Sequence, residues 1–219
     1  MRKFFAAALL LTLLSCSKES SNQLSLFKDD GHRKPTVAIV PVIDNSESEL
    51  PWNVSEEFTS AISNRLQTRG NLLLTDSFEM IDMVKNLDDS CDPFSQDLDW
   101  TPKVFKDKDF VVFLELVDHY LHTHPNQRIA QMEENRESFL DLTMRVRLID
   151  LRDDQPRVVL QELVAHTHAI PKLFANVDYS ERHWGKTSFH LTPVGLAHIA
   201  LIREVSRRLE DYISIAATN

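Results

Sequence analysis

Residues 140–148 read Leu-Asp-Leu-Thr-Met-Arg-Val-Arg-Leu. Apolar and polar side chains alternate without a break, the period of a strand with one face on a core and the other in water. A second extended run, residues 158–170, follows across Asp153-Asp154-Gln155-Pro156, so the two predict an antiparallel hairpin. Just upstream, residues 110–121 are mostly apolar and β-rich, as expected of a strand covered on both faces.

Moving outward, the period changes to that of helices. Residues 37–42 form a short apolar run of strand length that Pro41 ends or bulges. Asn53 and Glu56 then stand at capping-box spacing, Phe58, Ala61, Ile62 and Leu66 share one helical face, and Gly70 supplies the stop. Residues 72–75 predict a second short strand, and Asp76 with Glu79 open a helix to about residue 85. On the far side of the hairpin, Thr192 predicts an N-cap with Pro193 at the first helical position. Leu196, Ile199, Ala200, Ile202, Val205, Leu209 and Ile213 give that helix a broad apolar face, running to about residue 215 and suited to packing on a sheet. Together these elements predict an α/β fold, a single mixed sheet of about five strands with helices packed on it.

The amino terminus has a different character. Arg2 and Lys3 precede an apolar stretch, residues 4–14, that is too short for the roughly 20 residues a membrane span needs. It reads as a processed signal. Leu13-Leu14-Ser15-Cys16 resembles the lipobox of bacterial lipoproteins, which implies cleavage before Cys16 and lipid on that cysteine. Several acyl chains make such anchoring stable. Residues 17–34, rich in Ser, Lys, Asn and Asp, read as a solvated tether. The expected organisation is a signal peptide over residues 1–15, the lipidated cysteine and tether over 16–35, and one α/β domain over 36–219. With residues 1–15 go Arg2 and Lys3 and no acid, so the formal net charge moves from −9 to −11. An acidic domain repels phosphate backbones, which excludes nucleic acid as a partner. Lipidation of Cys16 leaves Cys91 as the one remaining thiol, so no internal disulfide is expected.

The segments at residues 36–45, the capped helix to Arg69, residues 72–75 and 76–84 resemble the opening of a superfamily of envelope lipoproteins. It includes the curli-secretion lipoprotein and the lipoprotein activator of penicillin-binding proteins, and the amino-terminal domain of the Tol translocation protein is similar. Lys108-Asp109-Phe110-Val111-Val112-Phe113-Leu114 resembles their third strand and residues 145–150 their fourth. Glu115 departs from the glycine often found there, and the turn after Asp150 has no glycine. In overall character the chain is similar to a chlamydial family of envelope lipoproteins, a resemblance that implies no activity.

The sequence offers little for catalysis. Only four glycines are present, Gly31, Gly70, Gly185 and Gly195, which excludes a dinucleotide fingerprint or a nucleophile elbow. Gly185-Lys186-Thr187 lacks the upstream glycine and strand of a phosphate loop, because Ser180 stands where that glycine belongs. His122 with His124, and His166 with His168, sit near the ends of two predicted strands, where each pair shares a strand face. Neighbouring strands would then present several imidazoles to a zinc ion, although half-exposed strand residues are the plainer reading. Asp88, Asp89, Asp92, Asp97 and Asp99 crowd the long loop of residues 86–107 without the spacing of a calcium loop, so a solvated acidic loop is expected. Trp52 and Trp100 fall in predicted loops, where they serve either as partner anchors or as lids over the core.

Two functional classes follow. The first is a non-enzymatic lipoprotein of the bacterial cell envelope that binds an envelope protein, needs no cofactor, and meets its membrane through the lipid anchor; Trp52 and Trp100 are its candidate contacts. The second is a ligand- or metal-binding lipoprotein that uses the strand-end histidines. Ser17 and Lys18 follow the cysteine and no aspartate stands second, which by resemblance to enterobacterial sorting points to the outer membrane. No nucleophile, base and orienter can be named together, so enzyme activity is not expected.

Overall fold

The computed structural model describes residues 26–85, 87, 91–123, 138–174 and 177–218. Cys16, Asp88, Asp89 and His124 lie outside them. The described elements are β1 (Thr36–Ile39), β2 (Ile43–Asp44), α1 (Val54–Arg69), β3 (Leu73–Leu74), α2 (Ser77–Val84), α3 (Thr101–Val104), β4 (Phe110–Thr123), β5 (Ser138–Asp150), β6 (Arg157–Ile170) and α4 (Pro193–Ala217).

One mixed sheet has the order β3-β1-β4-β5-β6, with β2 paired to β4. β1 is parallel to β3 and to β4, whereas β4, β5 and β6 form a long antiparallel meander. The α/β class and single mixed sheet expected from the sequence are therefore present. The added strand is β2, two residues whose pairing depends on Ile43 and Asp44 lying beside Glu115 and Leu116. Nothing local marks it.

The helix ends follow their caps. Asn53 Oδ1 accepts from the backbone N–H of Glu56, and Gly70 closes α1 at φ 73°, a left-handed conformation that suits glycine. Asp76 Oδ1 accepts from the Phe78 N–H rather than from a residue one further on. Thr192 Oγ1 accepts from the Gly195 N–H and donates to the Phe189 carbonyl, so it ties the start of α4 to the 3₁₀ turn Thr187–Leu191. A Cβ at Gly195 would overlap that same carbonyl oxygen. Close backbone approach requires glycine here.

The sheet is covered on both faces. On one, Val54, Phe58, Ile62 and Leu66 of α1 and Leu201, Val205, Leu209 and Ile213 of α4 pack on Val37, Val112, Leu140, Leu142, Met144, Val146 and Leu148. On the other, Met80 of α2 and Leu98 and Phe105 pack on Ala38, Val40, Val111, Phe113 and Ile149. This second cover reaches Arg145 and Arg147, so the wet face expected for β5 is cut back at that end and Asp141 and Thr143 remain half-exposed. Arg147 is buried, and its guanidinium donates to the carbonyls of Pro93 and Ser95 at 2.9 and 2.6 Å, which pins the acidic loop onto the strand. Arg145 lies over the Phe94 ring and pairs with Glu115 at 2.8 Å. The loop carboxylates serve the loop's own turns: Asp92 accepts from the Phe94 N–H and Asp97 from the Asp99 N–H. Cys91 is free and half-buried.

The chain enters at the amino-terminal ends of the parallel strands, where Phe27 bridges to Arg33 and Asp109 caps Thr36. At this end Arg69 and Asn71 converge on Glu210, and Arg152 joins Asp150 to the Ala216 carbonyl at the end of α4. Burial pulls the Asp150 carboxyl upward, but hydrogen bonds from Arg152 and Arg157 outweigh it and hold the group below its ordinary range.

Candidate functional site

At the opposite end of the molecule the histidines sort by strand parity. His119 of β4 stands opposite Leu142 of β5, which stands opposite His166 of β6; Leu140 likewise faces His168. Antiparallel partners share a sheet face, and Leu140 and Leu142 belong to the core beneath α1 and α4, so His119, His166 and His168 lie on that face. His122 pairs with Phe139 and lies on the other face. The alternative in which His122, His166 and His168 present their imidazoles to one metal does not match this placement, and His124, the fourth candidate, lies outside the described residues. β5 separates β4 from β6, and the residues point to opposite sides. Among the described residues no three metal-ligating side chains come together.

His119 instead enters a buried polar chain. Trp52 Nε1–H donates to Glu57 Oε2 at 2.7 Å, Glu57 Oε1 accepts from His198 Nδ1 at 2.7 Å, and His198 Nε2 lies 2.9 Å from His119 Nε2. Glu57 and His198 are 2% and 0% exposed. Across the contact between the two imidazoles one Nε2 donates and the other accepts, in the sense that the tautomers set. Burial, reinforced by repulsion from His198, lowers the His119 pKa to about 4. His119 is thus neutral near pH 7, consistent with that arrangement. The chain links the segment before α1, α1 itself, α4 and β4, and the rings of Phe58 and Phe189 flank His198. It ends on imidazole and supplies no nucleophile. A fully paired network of this kind fixes how four elements meet, because an unpaired member would be costly to bury.

Sequence reasoning passed over His198 and Glu57. Their signal was a polar residue on an apolar stripe: His198 sits among Val194, Ala197, Leu201 and Val205, and Glu57 adjoins Phe58.

The same chain decides Trp52. Its ring packs edge-on against Phe189 at 5.2 Å and beside Tyr179, and its nitrogen is committed to Glu57. Trp100 packs on Phe105 and Phe113 over the second core. Both are half-buried and pack as lids, the second of the two places that the sequence left open to them.

Exposed aromatic surface occurs elsewhere. Beyond the acidic loop, among the described residues, the second face of the meander carries exposed Tyr120 beside half-buried His122 and Phe139. Tyr120 and His122 stack with centroids 5.6 Å apart and planes 11° from parallel, and His122 continues to Phe139 at 6.0 Å. Asp141 stands behind His122 Nδ1 at 3.4 Å and accepts from Thr167 Oγ1 at 2.6 Å, which steadies the carboxylate. Tyr120 is 64% exposed, and Leu163 on the same face is 60% exposed. Tyr120 lies ten residues along β4 from Phe110, so this surface is about 33 Å from where the chain enters.

His166 and His168, with rings 6.1 Å apart, remain half-buried beside the core. Burial and the neighbouring His166 lower the His168 pKa. Among the described residues no helix is long and apolar enough to cross a membrane.

Comparison with known proteins bears on the fold and the family. The structure of the hypothetical protein CT253 from Chlamydia trachomatis is 26% identical over 82% of this chain and 98% of that one, with a TM-score of 0.63. Lipoprotein GNA1162 from Neisseria meningitidis is 10% identical over 79% of this chain and 99% of that one, with a TM-score of 0.41. The LpoB C-terminal domain from Salmonella enterica is 12% identical over 60% and 82% of the two chains, with a TM-score of 0.36. These two likenesses are too distant to say anything of activity. No curated protein matches the chain. Residues 24–217 match the model of a family of unknown function, DUF7499, and the chain belongs to that family.

Proposed function

We propose that this chain is a lipoprotein of the bacterial cell envelope, anchored through Cys16, whose domain binds an envelope protein and catalyses no reaction. The observation that carries the binding role is the exposed ring of Tyr120, stacked on His122 at the end remote from chain entrance, with exposed Leu163 nearer the middle of the same sheet face. Aromatic side chains are enriched in protein interfaces, where they contribute large contact areas at little entropic cost. The Tyr120 and His122 rings stack on each other and His122 continues to Phe139, so part of this surface is packed before a partner arrives.

The anchoring role rests on Leu13-Leu14-Ser15-Cys16 behind a positively charged and then apolar leader. Residues 26–34 are held by the Phe27–Arg33 bridge and by the backbone hydrogen bonds of Lys28 and Lys34, so the tether read from the sequence is confined to the residues before them. The chain enters the domain at one end and the aromatic face lies at the other, so the face is available to a protein further from the membrane. Ser17-Lys18 favours the outer membrane as the site of anchoring.

Two variants separate the parts of this proposal. Cys16→Ala abolishes partitioning into the detergent phase and leaves the domain folded; continued partitioning of that variant rejects lipid anchoring. Tyr120→Ser combined with Leu163→Ser removes two exposed apolar side chains from a solvent-facing surface. It is expected to weaken co-purification of a partner from detergent-solubilised envelopes about tenfold or more, with the unfolding midpoint retained. Undiminished recovery of the same partner places the interface elsewhere.

A further inference from the structure

We propose that the cleft above the carboxyl ends of β1 and β3 binds a short neutral saccharide. This site is separate from the aromatic face and independent of any protein partner.

Its position follows from the topology. β1 and β3 are adjacent and parallel. The chain leaves β1 for α1, whose Phe58 and Ile62 pack with Val37 and Ile39 on one side of the sheet. It leaves β3 for α2, whose Met80 packs with Ala38 and Val40 on the other side. Adjacent parallel strands whose following helices depart to opposite faces open a crevice beyond their carboxyl ends, the place where open α/β sheets hold ligands. Here the crevice encloses about 810 Å³, within the range of about 300–1,000 Å³ common for small-molecule sites.

Its lining selects the chemistry. Ile39, Pro41, Leu74 and Met80 form apolar wall, suited to the C–H face of a pyranose ring. Opposite them, α1 presents Ser60, Ser63, Asn64 and Gln67. These are spaced i, i+3, i+4, i+7, so one helical face aligns hydroxyls and amides along the cleft. Among the described residues Ser63 and Gln67 commit no side-chain hydrogen bond to the protein, which leaves their donors and acceptors for a ligand. Hydroxyl and amide groups on both partners can exchange hydrogen bonds without a net charge.

Charge excludes the other common ligands. Among the described residues no Lys, Arg or His lines the cleft, and the carboxylates of Glu56 and Asp76 stand within it. The first turns of α1 and α2 are occupied by their own caps, Asn53 and Asp76, and no glycine is among the lining residues. A phosphate would meet negative charge with neither a basic partner nor a backbone cradle.

The test uses the full lipidated chain in a zwitterionic detergent that carries no sugar. Isothermal titration and ¹⁵N chemical-shift mapping are run with tri-N-acetylchitotriose, maltotriose and inorganic phosphate. The expected result is saturable millimolar or tighter binding of at least one trisaccharide, with shifts centred on Ser63, Gln67 and Leu74, and none with phosphate. Ser63→Leu combined with Gln67→Leu lies on a partly solvent-facing helix surface and should weaken that binding about tenfold while keeping the thermal midpoint. Three results overturn the proposal: no trisaccharide binding, binding equally strong in the folded double variant, or phosphate binding that the double variant abolishes.

Discussion

Glu57 holds two donors at once, the half-buried Trp52 indole and the buried His198 imidazole, and His198 in turn meets His119. Removing the carboxylate leaves both donors without that partner, so Glu57→Leu is expected to destabilise the domain by about 3–5 kcal/mol in urea unfolding. His119 adds a pH dependence whose sign is fixed. Its pKa is about 4 in the folded protein against an ordinary 6.5, so below pH 6.5 the unfolded chain takes up a proton that the folded chain refuses. Stability should fall as pH drops from 6.5 to 4, by up to about 3 kcal/mol from this residue, and should be unaffected by it above pH 7. In His119→Leu the loss between pH 7 and pH 5 should shrink, whatever the variant's stability at pH 7. An unchanged slope would show that His119 is not the titrating group. The histidines also mark how far the sequence could be read. His119 and His122 are three apart on one strand and so must face opposite ways, which period-two reasoning makes legible. That His198 waits behind His119 from 79 residues away is not legible, because helix-to-sheet packing decides it.

At the scale of elements, most of the fold could be read because local signals agreed with tertiary packing. The alternation in β5, the caps at Asn53 and Asp76, and Thr192-Pro193 before α4 each specify an element before any long-range contact forms. The departures share one cause. β2 exists only by its register with β4, and Arg147 is buried only because the acidic loop folds back over β5. Which of the two readings holds for Trp52 and Trp100 was likewise undecided by sequence, since a loop position says nothing of what lies beneath it. Gly195 reads in sequence as a weak point in a helix, yet it admits the Phe189 carbonyl to the first turn of α4. Gly195→Ala should therefore lower stability by about 1–3 kcal/mol through crowding, despite alanine's better helix propensity. A gain in thermal midpoint would mean that α4 and the preceding turn can move apart without cost.

Across the whole molecule, the two ends do different work. Near chain entrance, buried Asp150 with Arg152 and Arg157, and Glu210 with Arg69 and Asn71, tie the ends of β5, α1 and α4 together. The other end carries the polar chain inside and the aromatic face outside, beyond a meander of long strands. The candidate contact surface was the least legible part of the sequence, because Tyr120 and Phe139 look like ordinary strand residues until the sheet shows which of its faces is covered. The most direct measurement is site-specific photocrosslinking in native envelopes, with a photoreactive phenylalanine replacing Tyr120 in one strain and Trp52 in another. The proposed function requires one dominant crosslinked protein from position 120 and none from position 52. Equal yields at both positions, or a partner captured only at position 52, would contradict it.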